Sequence, residues 1–270
     1  MDAGTVRLER QGHVAVVTLD RVERRNAVGE AMWVALEERI AELEAALPRA
    51  IVLTGAGDKA FCAGQDLGMD NPQVQQLVAA VQSQETAPVR AFLERERRVV
   101  DRLFALPVPL VAAVNGIAYG GGAELATRCD LRVVDPEAVI CFSEVKLGLM
   151  PDWGGGVALA RLIGSGRAAD LILTARRVPS SEALSLGLAN RVSERGRALE
   201  EALELARAIS RNGPRAVRGA LEILRRSPAL PQADALALEM DRAVALIASG
   251  ECTHGIAALM SKTDPEFPAP

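Results

Sequence analysis

Apolar and polar positions change period several times along the chain, and each change predicts an element. Residues 13–19, HVAVVTL, are small and β-branched, a strand pattern, and Val6 to Leu8 with Thr5 before them favours the same geometry. A hairpin is expected there. A charged loop, DRVERRNA, follows at residues 20–27. Over residues 29–47 the apolar side chains Met32, Leu36, Ile40, Leu43 and Leu47 recur every three or four positions, which predicts an amphipathic helix closed by Pro48. Residues 50–54 read as a buried strand ended by GAGD, and residues 60–67 as a second small-residue turn. From 70 to 105 the composition shifts to glutamines interleaved with Val and Ala. An Arg/Glu-rich helix over about 89–106 then leads to Pro107 and Pro109. This segment reads either as a solvated helical insertion or as a wall of a binding site.

The stretch that organises the rest is 110–156. Residues 110–114, LVAAV, form a short apolar run ended by Asn115-Gly116, and three glycines at 120, 121 and 122 precede AELATRCD, whose apolar residues have helical spacing. Strand, glycine turn and helix start follow one another, as they do in part at residues 50–67. A further strand is expected at 139–142 and helices at 157–163, 168–173 and 179–187, with a closing strand at 188–192. From residue 198 strands vanish. Four helices, 199–210, 214–226, 233–249 and 255–262, make an apolar tail, so a core of 1–197 and a helical region of 198–270 are expected.

Composition narrows the chemistry. The chain has 270 residues, 49% of them hydrophobic and 24% charged, enough for a sizeable core. A net charge of −4 gives no reason to expect nucleic acid or an anionic membrane as partner. No apolar run approaches the roughly 20 residues that span a bilayer, and the N-terminus lacks a basic and then apolar leader. A cytoplasmic location is the expectation. Cys62, Cys129, Cys141 and Cys252 are widely spaced and read as reduced, mostly buried small hydrophobes. His13 and His254 are the only histidines. With no H-E-x-x-H, no G-x-S-x-G, no phosphate loop and no dinucleotide fingerprint, any proton chemistry falls to carboxylates, and no metal is expected.

Three carboxylates stand at turns of the organising stretch. Glu124 lies in the first turn after the glycines, Glu144 between the 139–142 strand and the Leu147-Gly148 turn, and Asp152 in the Pro151-Asp152-Trp153 corner. A helix start behind a glycine turn offers unpaired amides and a positive dipole end to an oxyanion. On local physics a first-turn glutamate is also an ordinary capping residue, and both readings stay open at this point.

Six segments in order resemble the crotonase (enoyl-CoA hydratase/isomerase) superfamily: Arg25-Asn26-Ala27, FCAGQDL, VAAVNGIAYGGGAELATRCD, SEVKLGLMPDWGG, LILTARRVPSSEALSLGLANRV and GIAALMSKTDPEF. The resemblance implies an α/β fold, a spiral of repeated ββα units with a C-terminal helical trimerisation region. A homotrimer, or a homohexamer built as a dimer of trimers, is the expected assembly. It implies an acyl-CoA thioester substrate, coenzyme A entering as part of it and no tightly bound cofactor. The thioester oxygen would be held by the backbone amides of Ala63 and Gly121, each such donor being worth about 3–4 kcal/mol in comparable sites. Glu124 and Glu144 would move water across a 2-enoyl double bond, a carbon–oxygen lyase reaction of fatty acid metabolism. Coenzyme A would meet Arg24, Arg25, Ala27, Ala63, Asp66 and Leu67, with Lys262 and Phe267 from the tail.

Asp152 departs from the hydratase pattern, in which glycine is common at this corner. Dienoyl-CoA isomerases place an aspartate there and pair it with the acid at Glu144, so double-bond migration is an alternative. The aspartate could equally cap the following helix. A non-catalytic acyl-CoA-binding subunit, and a superfamily hydrolase or dehalogenase, are further alternatives.

Overall fold

The computed structural model describes residues 3–68 and 71–268. The N-terminal hairpin forms as β1 (Thr5–Gln11) antiparallel to β2 (Val14–Asp20), with Val6 opposite Leu19. On its other edge β2 pairs in parallel with β3 (Ala50–Gly55), and β3 with β5 (Leu110–Val114). Next come β7 (Leu131–Val134) and the two-residue β10 (Arg191–Val192), completing a six-stranded sheet ordered β1-β2-β3-β5-β7-β10. Every residue of β3 and β5 is buried. Parallel strands covered on both faces need unbroken apolar runs, which is why these two lack alternation.

A second sheet, β4-β6-β8-β9, is built from short strands: β4 (Ala60–Cys62), β6 (Ile117–Tyr119), β8 (Val139–Cys141) and β9 (Val178–Pro179). The chain visits the two sheets in turn. β3, β5 and β7 each feed one strand of the small sheet, and a helix follows, so each ββα unit advances by one strand. This is the crotonase-like spiral. The sequence reading ran straight from Asn115 to the glycines and missed β6, because three residues between two turn signals carry no period.

Helix α1 (Glu30–Ala45) buries Met32, Trp33, Leu36, Ile40 and Leu43. The 70–105 segment folds as α2 (Pro72–Gln82) and α3 (Thr86–Ala105), and its first residue, Asp70, lies outside the described residues. α4 (Gly121–Arg128), α5 (Gly155–Ile163), α6 (Ser165–Thr174) and α7 (Ser180–Leu186) complete the spiral.

The helical region begins with α8 (Ala198–Ser210), whose Ala202, Leu203 and Ala206 pack on Val14, Val52, Val111 and Val133. This helix therefore covers the second face of the large sheet and belongs to the core. α9 (Pro214–Arg226) is tied down by Arg225, which bonds Asp130 at 2.7 Å and the Leu106 carbonyl at 2.8 Å. Asp130 also accepts the Leu110 amide at 2.8 Å, so the tie reaches the first residue of β5. α10 (Gln232–Ala248) buries no residue, and α11 (Glu251–Ser261) buries only Glu251 and Ala258. Leu236, Met240, Val244, Ile247, Leu259 and Met260 are all exposed. Among the described residues no single helix is long and apolar enough to cross a membrane. Cys62, Cys129 and Cys141 are buried free thiols and Cys252 is exposed.

Candidate active site

α4 starts at the triple glycine and carries Glu124 one turn in, where the side chain is 1% exposed. Both carboxyl oxygens are held by main-chain donors: Gly155 N–H at 2.7 Å and Asp152 N–H at 3.2 Å. Burial raises this carboxyl to about 7, with the neighbouring charges of Glu144 and Asp152 adding to the rise and the Gly155 amide opposing it. Glu144 opens a 3₁₀ turn, Glu144–Leu147, and is also buried. Neither of its oxygens has a hydrogen bond within the described protein. Burial, and then the charge of Asp152, lift it above the usual carboxylate range. Its carboxyl lies beside Gly120, whose carbonyl accepts the Glu124 amide. The two glutamates thus face each other across the glycine turn, one fully satisfied and one with free lone pairs.

Asp152 sits on the corner between them. Its side chain makes no capping bond to α5, whose N-cap is Gly154, so the helix-cap expectation does not hold. The cap is supplied from elsewhere, by Glu124 through Gly155 N–H. Burial raises the Asp152 carboxyl, with Arg97 partly offsetting it. Two arginines pin the corner: Arg97 donates to the Asp152 carbonyl at 3.2 Å and Arg128 to the Trp153 carbonyl at 2.7 Å.

The two glycine turns meet. Gly64 has φ +90, and a Cβ placed there would lie 3.0 Å from Gly121 N and 2.9 Å from Tyr119 O, so both the conformation and the close approach call for glycine. Here one expectation needs correction. The Ala63 amide already donates to the Arg25 carbonyl at 3.0 Å and is not available to a ligand oxygen. In the same loop Gly64 N–H points to the Cys62 sulfur and Asp66 N–H bonds Val28 O. Gln65 N–H is the donor left over, and among the described residues neither it nor Gly121 N–H has a protein partner. A single isolated bridge, Val28 to Gln65, explains the selection: in parallel pairing the neighbours of the bridged residue spend their groups on Val28, while Gln65 itself does not.

The remaining expected contacts divide. Ala27 is buried and exposed Leu67 lies just past the same loop; Arg24 and Arg25 are exposed at the preceding 3₁₀ turn. Asp66 is buried in an ion pair with Arg21 at 2.6 Å and also accepts Gly68 N–H, so its carboxylate braces the loop. Burial opposes that charge, but Arg21, Gly68 and Arg24 together hold the carboxyl below its usual range. Lys262 and Phe267 are not brought to the acids within one chain. Lys262 is the exposed C-cap of α11, and the Phe267 carbonyl bonds Arg49, just before the opposite end of β3 from the site loops.

Sequence reading missed several residues that shape the site. Asn26 is fully buried, accepts Arg21 N–H at 2.9 Å and donates to Ala56 O and Ala60 O at 3.0 and 2.8 Å. Its segment, Arg25-Asn26-Ala27, stands out in the sequence, but its place inside a charged loop hid this bracing role. Trp33 and Trp153 pack edge to face with centroids 4.9 Å apart, and their indole N–H groups reach Gln65 and Glu96, each at 3.2 Å.

Comparison with known proteins agrees with this fold. The sequence model of the family described as enoyl-CoA hydratase/isomerase matches residues 9–270. The short-chain-enoyl-CoA hydratase of Clostridium acetobutylicum is 36% identical over 253 residues, covering 93% of this chain and 90% of the relative. The 2,3-dehydroadipyl-CoA hydratase of Escherichia coli is 34% identical, covering 96% and 97%. The crystal structure of an enoyl-CoA hydratase from Bacillus anthracis superposes with a TM-score of 0.87 at 33% identity, covering 97% of this chain and 98% of that one. Fold and sequence coincide over nearly the whole length, and the chain belongs to the enoyl-CoA hydratase/isomerase family.

Proposed function

We propose that this chain is a 2-enoyl-CoA hydratase that adds water reversibly across the 2,3 double bond. The observation that carries the reading is the contrast between the two buried glutamates. Two amide donors favour the ionised form of Glu124, whereas neither oxygen of Glu144 has a hydrogen-bond donor among the described residues. Glu124 is then the carboxylate that orients water and takes its proton as the oxygen attacks C3. Glu144 is the acid that delivers a proton to C2. Negative charge passes to the thioester oxygen as the C3–O bond forms, and the unpaired amides of Gln65 and Gly121 are placed to receive it, in place of the Ala63 and Gly121 pair. Each acid–base contact of this kind contributes about 10²–10⁴-fold.

The relatives that bear hydratase names support the reaction class and leave the acyl group undetermined. Asp152 supports a second reading, enoyl- or dienoyl-CoA isomerisation, because its charge is felt by both glutamates. One experiment separates them: product mass spectrometry on a mixed enoyl- and dienoyl-CoA panel in heavy-oxygen water. Label in the product is the hydratase result; a shifted double bond without label overturns it in favour of the isomerase. For the assembly, the uncovered apolar side chains of α10 and α11 support a homotrimer or dimer of trimers.

A further inference from the structure

Glu96 is an acid that the hydratase reading does not use. It lies on α3, is 3% exposed, and places one carboxyl oxygen 3.2 Å from the Trp153 indole N–H while the other has no hydrogen bond. The Trp153 ring lies directly against Gly121, close enough that a Cβ at Gly121 would overlap it. Trp153 meets Trp33 edge to face, and the Trp33 indole bonds the side chain of Gln65, which also lies beside Glu96. A closed ring results: Glu96, Trp153, Trp33, Gln65. It joins α3, the corner before α5, α1 and the loop after β4, and it backs both residues whose amides are unpaired.

We propose that Glu96 is a positioning residue of the thioester-oxygen site, gripping the Trp153 indole so that the Gly121 and Gln65 amides keep a fixed separation and aim. The inference rests on the hydratase/isomerase reading for its chemistry, but the clamp itself is independent of which bond reacts. A neutral carboxyl suits the place: it accepts the indole N–H through one oxygen and carries a proton on the other. Burial raises Glu96 to about 8, Asp152 on the facing corner adds to this, and Arg95 on its own helix, itself engaged by Glu30, pulls the other way. Trp33, Trp153 and Gln65, the other groups facing it, are uncharged. The Trp153 indole and the Gln65 side chain also favour the ionised form, so above that range it is the repulsion between the new anion and Asp152, on the corner that carries Trp153, that strains the ring.

The test uses the full-length chain with Glu96→Gln, which stays neutral and keeps the acceptor, and Glu96→Leu, which removes it. Trp33 and Trp153 are the only tryptophans, so tryptophan fluorescence reports on the ring and on the groups packed around it. A titration step near pH 8 is expected in the parent and absent in Glu96→Gln, while a step near pH 7 from Glu124 persists in both. In turnover, kcat of the parent should fall between pH 7 and 9 at least threefold more than that of Glu96→Gln. Glu96→Leu, shown folded by circular dichroism, should lose about tenfold in kcat at pH 7 with KM within twofold. Identical pH profiles in parent and Glu96→Gln, or an unchanged kcat in Glu96→Leu, overturn the proposal. If the parent turns over none of the panel, the hydratase/isomerase reading fails instead, and the fluorescence step still decides whether Glu96 grips Trp153.

Discussion

Two glutamates twenty residues apart end side by side with different chemistry, because the main chain around them differs. Glu124 spends both oxygens on Asp152 and Gly155 amides; Glu144 spends none. Replacing Glu144 with Gln should therefore leave folding intact and lower kcat by about 10²–10⁴-fold; the steady-state loss of crotonyl-CoA absorbance on hydration reads this directly. The buried acids also set the pH dependence of stability. Glu96 and Glu124 have folded values raised to about 8 and about 7 from 4.5, so the folded state binds more protons than the unfolded state. Their contribution is full below about 4.5 and is lost as pH rises through 7 and 8. The midpoint of thermal unfolding should fall over that window, and fall less in Glu96→Gln. At this scale the sequence reveals the acids, since glutamates beside glycine turns stand out, but not their division of labour. It also hides Asn26 and Glu96, whose burial depends on contacts made by distant segments.

Among elements, the triple-glycine turn and the Pro151–Gly156 corner form one unit. Gly122 backs onto the Cys62 carbonyl so closely that any Cβ would displace backbone, and Cys62 precedes the loop holding Gln65. Gly122→Ala should cost about 1–3 kcal/mol or more and separate the two loops; a lowered urea midpoint with a larger loss in kcat than in thioester binding is the expected pair of results. Strand, turn and helix in this unit are legible from the period of apolar residues alone. The donor register is not. Ala63, Gly64 and Gln65 are all compatible with a tight turn, and only the parallel bridge to Val28 decides which amide stays free.

For the whole molecule, the division into a spiral and a helical tail is visible in the sequence, but the role of α8 is not. An Ala- and Leu-rich helix looks the same whether it covers a sheet or a neighbour. α8 covers the sheet; α10 and α11 leave Leu236, Met240, Ile247 and Leu259 uncovered. Charged substitutions on that surface, Met240→Glu together with Leu259→Glu, should reduce the particle mass measured by light scattering toward one chain without lowering helical content. The Arg225 tie gives this arrangement a further meaning. Asp130 receives Arg225 from α9 and the amide of Leu110 from β5, the strand that leads through β6 to the glycine turn. Trimming the tail before α9 would thus remove a clasp from the central sheet, and a shortened protein would be a loosened enzyme rather than a smaller one.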